Sequence, residues 1–98
     1  MDSQKYGEIE VTLANKLVEV SDGKLPAEQI NSMKMDIDYA EPSMAICTAL
    51  AASISDALAI PSDLWSLIQT WGANGIEMFR EIANAALAHA KMPQLAEA

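Results

Sequence analysis

Few residues in this chain have the chemistry to build a reaction centre. There is one cysteine, Cys47, and one histidine, His89, with fourteen carboxylates against six basic side chains. A cysteine nucleophile needs a base within hydrogen-bond reach. His89 is far along the chain, and Cys47 lies in the apolar stretch Ile46–Leu50, so it reads as a small buried hydrophobe. A lone cysteine has no intramolecular disulfide partner, and one Cys with one His cannot supply a structural zinc site. Asp36 and Asp38 are two residues apart and point in different directions on a helix. Glu77 and Glu81 share a helical face, but Arg80 beside them marks a solvated surface. The four glycines, at 7, 23, 72 and 75, fall at helix ends or turns and form no phosphate loop. The expectation is therefore no enzyme, no cofactor, no metal and no small-molecule substrate.

Charge is the more informative property. The net charge of −8 opposes direct nucleic-acid binding, because a phosphate backbone would be repelled. The same charge favours a basic protein partner, since opposite charge speeds encounter and suppresses wrong partners. The acids are also unevenly placed. From Met35 to Phe79 the chain has no Lys, Arg or His, yet it holds Asp36, Asp38, Glu41, Asp56, Asp63 and Glu77. A partner-binding face is expected from Asp36, Asp38, Tyr39, Glu41, Asp56 and Asp63, with Tyr39 as an aromatic anchor.

The elements that must position these residues are helices. Tyr6, Ile9, Leu13, Leu17 and Val20 recur at helical steps and predict a helix over 3–20. Pro26 and Glu28 open a second over 26–39, with Ile30, Met33 and Ile37 inward. Pro42 forces a break, and Ile46, Cys47, Leu50, Ile54 and Leu58 carry a third over 43–58. Ser62 is the expected N-cap of a fourth over 62–72, stopped by Gly72 to Gly75, and a fifth covers 75–90. The fold class is all-α, a compact bundle of about five short helices in one domain spanning 1–98, with 92–98 a loose tail. There is no signal-peptide layout at the N-terminus and no apolar run of membrane-spanning length, so the expected location is the cytoplasm, away from the membrane.

The punctuation of Leu25–Gly75 resembles that of small helical bacterial immunity proteins of polymorphic and contact-dependent toxin systems, with the Maf-type immunity family closest in pattern. The resemblance rests on Leu25-Pro26-Ala27-Glu28 with Ile30, then Glu41-Pro42, Ala45-Ile46 and Leu50. Ile60-Pro61, Leu67-Ile68 and Gly72 complete it. It implies a protein that binds and neutralises a cognate toxin domain, many of which are basic nucleases. The alternative is a non-catalytic helical subunit that docks on a partner through exposed apolar residues, for which Trp65, Met33, Met35 and Met44 are the candidates.

Overall fold

A computed structural model describes residues 1–95. They form five α-helices: α1 (Ser3–Ser21), α2 (Ala27–Asp38), α3 (Pro42–Ile54), α4 (Trp65–Asn74) and α5 (Glu77–His89). A 3₁₀ turn over Ser62–Leu64 leads into α4, and no strand occurs among the described residues. The all-α bundle read from the apolar periodicity is the fold observed.

Helix α3 is the central element. It has no charged residue, so no side demands water, and it packs against α1, α2 and α5. Three of its four alanines, Ala45, Ala49 and Ala52, are buried and let the neighbouring helices approach closely. Leu13 and Leu17 of α1, Met33 of α2 and Leu87 of α5 fill the surrounding space without exposure. Helix α4 lies against α1 and α5. Its C-terminal half meets the N-terminal half of α1, while Leu64 and Pro61 border a groove with Lys16 and Val20, so α1 and α4 run antiparallel.

Helix ends account for most differences from the expected boundaries. Three helices terminate on a residue with positive φ that is not glycine: Ala40 (61°), Asp56 (65°) and Lys91 (59°). At each, the next N–H reaches back across the turn: Glu41 to the Asp36 carbonyl (2.7 Å), Ala57 to Ala52 (2.9 Å) and Met92 to Leu87 (2.8 Å). This closure satisfies carbonyls that a helix end leaves unpaired. It stops α3 at Ile54, short of the expected 58, although Leu58 still enters the core. Ser62 makes no cap hydrogen bond and belongs to the 3₁₀ turn.

Gly75 caps the end of α4, as expected of the glycine stop, but Gly72 has a different role. Gly72 lies within the helix, where a Cβ would stand 2.6 Å from the Cβ of Ala83 on α5. It permits close packing of the two helices and does not end α4. The expected loose tail differs as well. Leu95 packs on the core and donates its N–H to Asn84 (2.7 Å), while the Pro93 carbonyl accepts from Gln69 (3.3 Å). Residues 96–98, also assigned to that tail, lie outside the described residues.

Two substitutions should move stability in opposite directions. Ala40→Gly relieves a left-handed alanine costing about 1–2 kcal/mol, against about 0.5–1 kcal/mol of added chain entropy. A net gain of about 0.5–1 kcal/mol is expected. Gly72→Ala gains about 1 kcal/mol of helix propensity but must push α4 off Ala83, and overpacking typically costs about 1–3 kcal/mol. Ala83 is a short side chain fixed on a helix, so the clash wins. Urea denaturation of both variants checks the two signs.

Candidate partner-binding surface

A polar and aromatic joint fastens α1, α4 and α5 together, away from the α2–α3 corner. Trp71 is fully buried, and its indole N–H donates to Glu10 Oε2 on α1 at 2.8 Å. Its backbone carbonyl accepts from the Tyr6 hydroxyl at 3.1 Å, and its ring stacks on Phe79 of α5 with centroids 4.9 Å apart. Gly75 makes room for this arrangement, since a Cβ there would stand 2.6 Å from the Tyr6 oxygen. Arg80 donates to the Ala73 carbonyl (2.9 Å), so side chains from α1 and α5 together cap the end of α4.

Burial, then the Glu10 carboxylate and Cys47, push the Tyr6 hydroxyl up to about 12. Cys47 is half-buried, and burial followed by Glu10 raises its thiol as well, which disfavours a thiolate nucleophile. His89 is engaged elsewhere: its Nε2 is 2.7 Å from Asp56 Oδ1. Glu77 and Glu81 are both exposed, and no three metal-ligating side chains cluster among the described residues.

The six expected binding residues fall in three places. Asp36, Asp38, Tyr39 and Glu41 come together where α2 turns into α3. Tyr39 is the most exposed of the large hydrophobic residues, at 74%. Met35 (55% exposed) is one helical turn before it on the same face, and Met44 (47% exposed) lies in the first turn of α3. Asp38 and Glu41 are exposed and Asp36 is partly buried. Asp56 lies at the far end of α3 against His89. Asp63 stands in the 3₁₀ turn and borders a groove with Lys16 and Glu19 of α1.

The acids at the α2–α3 corner are poorly placed for stability. Asp36 and Asp38 occupy the last turn of α2, the negative end of its dipole, where a carboxylate is unfavourable. Neither they nor Glu41 form an ion pair among the described residues, whereas Asp56 is in hydrogen-bond contact with His89. Lys34 borders the same groove as Asp38 without coming into ion-pair range.

Of the residues expected to form an apolar docking stripe, Trp65 and Met33 are in the core, at 7% and 0% exposure, while Met35 and Met44 are exposed. The signal for Met35 was in the sequence: it is out of phase with the inward stripe Ile30, Met33 and Ile37. Ile76 and Met78, at the start of α5, are further exposed hydrophobes, at 61% and 55%. No family model matches this chain, and no similar curated protein or solved structure is found. No helix among the described residues is long and apolar enough to cross a membrane.

The joint carries a pH signature. Because the Tyr6 pKa is raised on folding from 10.0 to about 12, its contribution is complete below the unfolded value and is lost as pH rises between them. Tyr6→Phe should cost about 0.5–1.5 kcal/mol at neutral pH, for the lost hydrogen bond. It should also flatten the alkaline fall in stability, leaving the contribution of Cys47. Urea titrations at neutral and alkaline pH check both effects.

Proposed function

We propose that this protein is an immunity-type inhibitor that binds a cognate basic toxin domain through the α2–α3 corner. The observation that carries the reading is an exposed Tyr39, flanked by Met35 and Met44, among acids that have no ion-pair partner among the described residues. Asp36 and Asp38 weaken the end of α2, and a cation supplied from outside would relieve that cost. An aromatic anchor ringed by charge suits tight association: the ring supplies desolvated contact, and the acids steer encounter. The same surface would repel nucleic acid, so a nuclease toxin would be met at its basic substrate-binding face. The resemblance of Leu25–Gly75 to immunity proteins supports this reading. Exposure of Ile76 and Met78 favours the second reading, a helical subunit docking through the start of α5.

The test takes a basic C-terminal toxin domain, sought among the products of the neighbouring genes. Binding is measured for the wild type and for Tyr39→Ala, Asp38→Ala, Glu41→Ala and Asp63→Ala, each checked for folding. Tyr39→Ala should lose about 2 kcal/mol or more of binding energy. Asp38→Ala and Glu41→Ala should chiefly slow association and reduce its salt dependence. Asp63→Ala, outside the corner, should change less. A tight complex that none of the corner variants affects would move the interface to Ile76 and Met78.

A further inference from the structure

Beyond the α2–α3 corner, the ends of α3 and α5 enclose a cleft of about 360 Å³. Its deeper wall is apolar, with Leu58, Trp65 and Ala86 all nearly fully buried. Its rim is polar, formed by Asp56, whose side chain is 82% exposed, and His89. The Asp56 carboxylate is held in place twice: by the helix-ending turn that fixes its backbone, and by the 2.7 Å contact of Oδ1 with His89. The contact engages Oδ1 alone and leaves Oδ2 without a hydrogen bond among the described residues. Trp65 differs from Trp71 in a way that bears on this cleft. The Trp71 indole N–H is satisfied by Glu10, whereas that of Trp65 meets no acceptor among the described residues and no buried side-chain polar atom is unpaired. The Trp65 N–H therefore reaches solvent.

From these features we propose that the cleft is a binding site for a small amphipathic organic cation, with its apolar body against Trp65 and Leu58 and its ammonium at Asp56. The arrangement selects against alternatives. An anion would meet Asp56 at the mouth, and a simple inorganic cation would gain nothing from the apolar wall. A long basic side chain entering head-first would carry its charge away from the carboxylate into the apolar interior, at a desolvation cost. An apolar group with a cation trailing at the entrance satisfies both zones. The site is separate from the toxin-binding reading, and neither depends on the other.

The test is a titration of the whole protein followed by the two indole N–H resonances in ¹H–¹⁵N NMR. The probe is 2-phenylethylammonium, and phenylacetate serves as the anion of similar shape. Saturable movement of the Trp65 resonance is expected with the ammonium, while the Trp71 resonance stays in place as an internal reference. Asp56→Asn should weaken the ammonium by up to about five-fold, the range for a solvent-exposed charge pair, and narrow its advantage over phenylacetate. Ala59→Phe, at an exposed position lining the cleft, should block the probe without disturbing the core. Overturning results would be no saturable shift of Trp65, equal binding of ammonium and carboxylate, or unchanged binding in Asp56→Asn.

Discussion

A tryptophan can be removed wholly from water only if its indole N–H finds an acceptor, and this requirement at Trp71 organises the bundle. An unmet buried donor costs about 1–3 kcal/mol, enough to offset much of what burying the ring contributes. Glu10 meets it from α1, which sets the register of α1 against α4. The Tyr6 hydroxyl can then reach the Trp71 carbonyl, but only across the space left by the absent side chain of Gly75. Phe79 stacks on the other side and brings the start of α5 into place, and Gly72 lets α5 close down through Ala83. Each contact presupposes the indole in its buried position.

With α1, α4 and α5 joined in this way, α3 is enclosed and α2 covers one of its sides. The α2–α3 corner lies outside this economy. Tyr39, Met35 and Met44 contribute little burial, and the neighbouring carboxylates sit at the unfavourable end of α2. The joint itself uses Tyr6, Glu10, Trp71 and Phe79, none of which belongs to the corner. Stability and the proposed recognition therefore rest on different residues, and the corner's side chains can be changed without dismantling the core.

The helices were legible in the sequence because apolar spacing at three and four residues follows directly from core packing. Leu13, Leu17, Met33, Ile46, Leu50 and Ile68 all lie inside as that spacing requires. The ends of α2, α3 and α5 were harder, because Ala40, Asp56 and Lys91 adopt a left-handed conformation that their residue types do not advertise. The role of Gly72 was hidden for another reason: a glycine chosen for close approach looks, in sequence, like one chosen to stop a helix, as Gly75 does here. Pairings between distant positions, such as Glu10 with Trp71 and Asp56 with His89, leave no local trace. The corner was the readable part of the candidate surface, since Asp36, Asp38, Tyr39 and Glu41 are neighbours along the chain. Asp56 and Asp63 shared its charge but not its location.

The account is tested most directly by mapping ¹H–¹⁵N shift changes across the whole protein as a candidate basic toxin domain is added. The largest changes should centre on Met35 to Met44, with Tyr39 at their focus and the Trp71 indole resonance unmoved. Changes centred on Ile76 and Met78, or a shifted Trp71 indole, would contradict it.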